Sequence, residues 1–312
     1  MTFDPKWIRK DLVVKRDGTN SLTGDWDVGD NKKIIIDSLQ MQDNDGFRVT
    51  DTTGSVVFEV TANPDAKVSL YYHHTKILET TSTGILVKDI NVGIGSGTGS
   101  NNIAIGIDSL INNTTGYSNI SIGTDSLKEV TTGYSNIAIG IGAGKTLESN
   151  FRNLAIGDNA LRDSTANSNI AIGFESLKSN TSGVWSVAIG EGSLSSNTTG
   201  FENVAIGYQA LLLNVSGINN VAIGAFACSN TTSISNTVAI GRGSLSNVQA
   251  NNNIGVGTST LTSNTIGDGN IAVGSDSLRY NISGSGNVGV GHGTFLTNVT
   301  VSNNIGMGTY SL

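Results

Sequence analysis

From Asn102 onward the apolar and polar positions fall into one recurring pattern. The first copy reads N-I-A-I-G-I-D-S-L-I-N-N-T-T-G-Y-S, and the next begins at Asn119. The glycine that closes each N-I-A-I-G unit is Gly106, Gly123, Gly140, Gly157, Gly173, Gly190, Gly207, Gly224, Gly241, Gly257, Gly274, Gly291 or Gly308. That makes 13 copies spaced 17 residues apart, shortened to 16 only at Gly157–Gly173 and Gly241–Gly257. Self-similarity at such a period marks a repeat architecture. Alternate residues of a strand point to opposite faces, so Ile103 and Ile105 share one face and Ala104 takes the other. The outer pair is β-branched or bulky in every copy, which suits a strand. The middle residue is always Ala, Gly or Ser, which predicts close approach of another backbone.

The rest of the copy has its own markers. Gly106 permits a bend or a positive φ. Leu110 follows, with Leu127, Leu161, Leu177, Leu194, Leu211, Leu245, Leu261, Leu278, Phe295 and Leu312 in the same place and Gly144 and Cys228 as exceptions. N-T-T-G, as at Asn113–Gly116 and Asn197–Gly200, is a polar turn ending in glycine. Each unit therefore predicts two short strands and two turns, one rung of a parallel β-solenoid. The pattern lacks the L-x-x-L-x-L of leucine-rich repeats and the Gly/Asp nonapeptide of calcium β-rolls, and it is too short for a propeller blade. A rung holds only about three large apolar side chains, too few for an independent core. Identical chains packed around a common axis solve that shortage, and closed cyclic assemblies are the usual form. The expected state is a homotrimer.

The string N-[IV]-A-I-G-x-x-[SA]-L, as in Asn119–Leu127, Asn169–Leu177 and Asn203–Leu211, resembles the head repeat of trimeric autotransporter adhesins of the YadA type. That resemblance covers Asn102 to Leu312. It implies a left-handed parallel β-roll of 13 rungs, three chains wound together, and a surface-binding role. Rungs of that family are usually shorter, so N-T-T-G is expected to protrude.

Composition divides the chain at about residue 90. Both prolines, Pro5 and Pro64, lie in the first 90 residues, as do 11 of the 18 Lys and Arg and 14 of the 25 Asp and Glu. Residues 1–90 are expected to form a small β-rich module, and 91–312 the β-roll. Val56–Val60, Val68–Tyr72 and Lys76–Glu79 read as short strands between turn signals. Leu22–Gly29 with Lys33–Ile36, and Val68–Val87, resemble segments near the start of bacteriophage tail fibres. The resemblance implies attachment of residues 1–90 to tail, baseplate or capsid proteins, with the solenoid projecting outward as a rod of roughly 60 Å at the strand spacing. The last rung breaks off at Leu312, which predicts an open strand edge. No apolar h-region follows Met1, and no apolar run reaches membrane-helix length. The expected location is the virion, assembled in host cytoplasm, without membrane insertion. A cell-surface adhesin and a polysaccharide-degrading tail spike are the alternatives.

Net charge of −7 with interleaved basic residues argues against nucleic acid as a partner. Gly140–Thr146, G-I-G-A-G-K-T, lacks the first glycine of a phosphate loop, since Ile139 stands there. The adjacent His73 and His74 face opposite ways on a strand, and His292 is alone in its rung, so no metal ligand set emerges. Carboxylates are sparse in the repeats, and no pair can be assigned to glycan cleavage. No cofactor and no catalytic residue are expected. Cys228, the only cysteine, reads as a small apolar core residue. The binding candidates are aromatic. Tyr117, Tyr134, Phe151 and Phe201 follow the turn position, with Trp185 one place on. They serve either as a platform for a host surface glycan or protein, or as an internal stack that fixes register.

Overall fold

The computed structural model describes residues 47–50, 56–61, 67–72, 75–81, 84–87 and 90–312. All belong to one compact unit, Asn44–Leu312. The tail-fibre-like stretch at Leu22–Gly29 and Lys33–Ile36 lies outside the described residues, as do His73 and His74. Every described element is a β-strand.

The unit begins as an antiparallel meander: β1 (Phe47–Thr50), β2 (Val56–Thr61), β3 (Lys67–Tyr72), β4 (Thr75–Thr81), β5 (Gly84–Val87) and β6 (Ile90–Gly93) pair in chain order. The three strands expected from the sequence are β2, β3 and β4. The last meander strand, β6, pairs antiparallel with β7 (Ile103–Ile105), the first strand of the repeats. The sheet therefore crosses the compositional boundary at residue 91 without a break. Residues 94–102 then run as a half rung against the next copy. Ser96 N–H donates to the Leu110 carbonyl, Thr98 N–H to that of Thr114, and the Ser100 carbonyl accepts from Ser118 N–H. This half rung and β6 cover an edge that would otherwise be an unpaired template.

From β7 the chain coils as a parallel β-solenoid. Each copy contributes one three-residue strand, ending with β19 (Ile305–Met307), and every strand pairs in register with the next. Thirteen strands make 12 parallel steps. Both 16-residue copies stay in register, as Leu154↔Ile170 and Val238↔Ile254 show.

The predicted second strand does not form. Asp108 has φ 55° and Leu110 has φ 50°, and the same two places are left-handed in every complete rung. Extended pairing is impossible there, so the segment after each glycine is a tight corner. A left-handed leucine costs about 1–2 kcal/mol. Full burial of the side chain returns about 1.5–3 kcal/mol. Leu110, Leu127, Leu161, Leu177 and Leu194 are all completely buried.

The two faces of the short strand have opposite fates. Ala104, Ala138, Ala155, Ala171 and their equivalents are buried, while the flanking Ile and Val positions are half-buried or exposed in every rung. The small face does not meet a passing backbone. It meets the Leu and Ser side chains of the opposite wall: a Cβ added at Gly255, in the alanine column, would stand 2.6 Å from Leu245 Cδ1 and 2.7 Å from Ser244 Oγ. The coil is so narrow that its interior holds a leucine from one side and only a methyl from the other.

The glycine column answers a tighter constraint. Gly106 to Gly308 have φ between 114° and 137°. A Cβ at Gly207 would lie 2.7 Å from the backbone of Gly224 one rung on. At this corner successive rungs touch backbone to backbone, so no side chain fits.

Candidate functional site

The surface is built from columns, one residue per rung. The expected aromatic column follows the turn. Tyr117 and Tyr134 stack with ring centroids 5.0 Å apart and planes 3° from parallel, and Tyr134 and Phe151 follow at 4.9 Å and 8°. Tyr134 and Phe151 also pair as an isolated parallel bridge. Arg152 lies over the Phe151 ring, its guanidinium carbon 5.6 Å from the centroid. The inner faces of this stack are thus occupied by one another, and the far face of Phe151 by a cation. The stack ends there because the shortened rung puts Asn167 next in line, where its Oδ1 accepts from Phe151 N–H at 2.9 Å.

Phe201 stands in the same column two rungs beyond Asn167, separated from the stack by Asn167 and Val184. Among the described residues it has no ring partner, and neither has Trp185, the most exposed aromatic of them at 62 %. The structure thus divides the five candidates into a closed stack, Tyr117–Tyr134–Phe151, and two free rings, Trp185 and Phe201.

Several charged side chains of the early rungs are tied to one another. Lys128 Nζ lies 2.9 Å from Asp108 and 2.8 Å from Asp125, and Lys145 reaches back to Asp125 at 3.4 Å. The hydrogen bond from Lys128 holds the Asp125 carboxyl below its usual range, and the two aspartates push Lys128 up. Arg162 grips Asp163 with two parallel bonds of 2.8 and 2.7 Å, lowering the Asp163 pKa. Lys178 with Glu175 and Arg279 with Asp276 repeat the theme within single rungs. These carboxylates pair with cations at the surface, and none of the pairs sets one carboxylate against another across a cleft.

The phosphate-loop look-alike is structural. Gly144 occupies the leucine place with φ 57°, and its N–H donates to the Ala160 carbonyl. A Cβ there would be 2.9 Å from both Leu127 Cδ2 and Leu147 Cδ1. Leu147, three residues on, fills the space the missing side chain leaves. Cys228, also in the leucine column, is wholly buried, and desolvation pushes its thiol up to about 12. His292 Nε2 and Tyr310 Oη share a hydrogen bond of 2.9 Å. Among the described residues no cluster of three or more His, Cys, Asp or Glu side chains is placed to hold a metal ion. No described helix is long and apolar enough to cross a membrane.

The asparagine that opens each rung has a role that its position explains. Asn119 Nδ2 donates to the Gly133 carbonyl at 2.8 Å, and its Oδ1 accepts from Asn136 N–H at 3.0 Å. Asn203 does the same with Gly217 and Asn220. Each side chain closes its own coil and hands on to the next. A second buried amide column, not singled out in the sequence, lies in the turn: Asn180, Asn197 and Asn214 stack Nδ2 to Oδ1 at 3.0 and 2.9 Å. Its signal was the first residue of N-T-T-G. Asn113 and Gly116 are buried and only the two threonines between them are exposed, so the turn is part of the wall and not a protruding insertion.

No known family, no curated protein and no solved structure matches the chain.

Proposed function

We propose that the chain is a structural fibre protein of a phage particle, held by residues 1–90 and projecting a homotrimeric β-roll for host-surface attachment or spacing. The observation that carries this reading is the outward face of the solenoid. Two large aliphatic side chains per rung, such as Ile103 and Ile105 or Val204 and Ile206, stand open or half-open to solvent along all 13 strands. Monomeric proteins rarely expose an apolar stripe that continuous. Identical chains lying parallel bury it with matched rungs. The ion pairing of Asp108, Asp125, Asp163, Glu175 and Asp276 fits a passive shaft better than a glycan-cleaving one.

The test has two parts. Light scattering on the purified chain is expected to give three times the chain mass, and Ile172→Thr with Ile189→Thr and Ile206→Thr is expected to weaken the assembly while leaving the coil folded. A monodisperse wild-type monomer removes the trimer. A chain lacking residues 1–90 is expected to be absent from virions. Its normal incorporation would make the solenoid the anchor.

A further inference from the structure

The place after the aromatic column is left-handed in every rung. It holds Asn101, Ser118, Ser135, Arg152, Ser168, Trp185, Glu202, Asn219, Asn236, Asn252, Gly269, Gly286 and Asn303. Asn and Gly tolerate this backbone best, and Ser is small. Trp185 is the outlier, a bulky ring held at φ 56°. In the leucine column left-handed geometry is repaid by burial. Here nothing repays it: the ring is 62 % exposed. No described aromatic stacks on it, and its indole N–H has no described partner. A strained, solvent-facing tryptophan is the kind of outlier from which a functional role is inferred.

The neighbours indicate what the ring meets. One rung on in the same column is Glu202, then Asn219, then Asn236, all exposed. Glu202 N–H donates to the Val184 carbonyl at 3.0 Å, which sets the Glu202 backbone one rung from Trp185. Asn219 Nδ2 reaches Asn236 Oδ1 at 3.4 Å. Phe201 immediately precedes Glu202 in the same rung and stands in the adjoining column, one rung beyond Trp185. The result is one flat apolar face followed by a carboxylate and two amides at steps of about 4.8 Å. A protein-binding hot spot is instead ringed by apolar contacts that exclude water.

We infer that Trp185 is the platform of a saccharide-binding surface, with Phe201 beside it and Glu202 and Asn219 supplying hydrogen-bond partners to sugar hydroxyls. A pyranose ring offers a C–H face to stack on the indole and hydroxyls at its rim for the carboxylate and amide. The ligand is a linear glycan lying along the solenoid axis, so that successive sugars meet successive rungs. This deepens the proposed host-attachment role and rests on it.

Trp7→Phe with Trp26→Phe leaves Trp185 as the sole indole of the three in the chain. Its fluorescence is followed while the full-length protein is titrated with chitohexaose, cellohexaose and a panel of bacterial O-antigen polysaccharides. A saturable change with at least one of them is expected. Trp185→Ser, which restores the serine of neighbouring rungs, is expected to weaken binding roughly tenfold or more, with circular dichroism and oligomeric mass unchanged. Glu202→Ala weakens it further in the same direction. No saturable change with any glycan, or equal binding by Trp185→Ser, overturns the inference. Loss of the oligomer in Trp185→Ser also overturns it, by assigning the ring to a contact between chains. Virion incorporation, measured separately, reports on the fibre role, so the two readings fail independently.

Discussion

Each rung has two walls, and they obey different rules. The strand wall, Asn–Ile–Ala–Ile–Gly and its equivalents, scarcely varies: glycine closes all 13 copies and asparagine opens all but two, where Ser186 and Thr237 stand. The turn wall varies freely at its buried position, which holds Asn113, Val130, Leu147, Ser164, Asn180, Asn197, Asn214, Thr231, Val248, Asn264, Asn281 and Asn298. Both walls are buried and both carry amide ladders, so burial does not explain the difference. What differs is the partner across the rungs: the backbone of the next rung for Asn203, and only the side-chain amides of its neighbours for Asn197. The strand-wall asparagine bonds the end of its own coil and the start of the next, as Asn203 does with Gly217 and Asn220. The turn-wall asparagine chiefly closes its own turn, as Asn197 does with the Gly200 carbonyl at 2.9 Å. An apolar side chain of similar size can fill that place. Where the two types meet, Asn113 next to Val130, the Asn113 Oδ1 is left without a partner, a local cost the fold tolerates.

The sharpest way to break the strand wall is Gly207→Ala. A methyl there meets the Gly224 backbone at 2.7 Å with φ at 129°. The rungs must separate, and a loss of about 3 kcal/mol or more is expected in chemical denaturation. Asn203→Ala comes next. It strands the Asn220 N–H inside the coil and leaves the Gly217 carbonyl only the longer bond from Asn214 Nδ2, 3.2 Å, at a cost of about 1–3 kcal/mol. Asn197→Val sharpens the comparison from the other side, because Val130 already occupies the same place. About 1 kcal/mol is expected. If Asn197→Val costs as much as Asn203→Ala under the same denaturation, the distinction between the walls is lost.

The smallest effect belongs to Cys228→Leu, which restores the column residue and is expected to change stability by less than about 1.5 kcal/mol. The native thiol should resist alkylation until urea unfolds the coil. Burial pushes its folded pKa up to about 12, above the ordinary value of 9.0. The unfolded chain therefore gives up the proton first. Stability from this group is complete below pH about 9 and is lost as pH rises towards about 12. A pH series comparing wild type with Cys228→Leu reads that difference directly.

The sequence by itself determined the phase of the coil, the glycine corner and the opening asparagine row, because each of these is one residue type repeated at one spacing. It also marked the leucine column, although not its backbone. A leucine at φ near 50° is not legible from composition, since leucine ordinarily avoids that region and only total burial offsets it. The tertiary structure alone decided which face of the strand lies inside. Hydrophobicity cannot order Ala104 inward and Ile103 and Ile105 outward. The choice follows from the width of a coil whose interior Leu110 and its equivalents already fill. The structure alone also decided that Leu147 replaces the side chain missing at Gly144, since that exchange depends on two positions sharing one volume. Among the candidate rings, the 17-residue spacing placed Tyr117, Tyr134 and Phe151 in line. Only the folded chain shows that their inner faces are spent on each other, while Trp185, at positive φ, meets no other aromatic ring among the described residues.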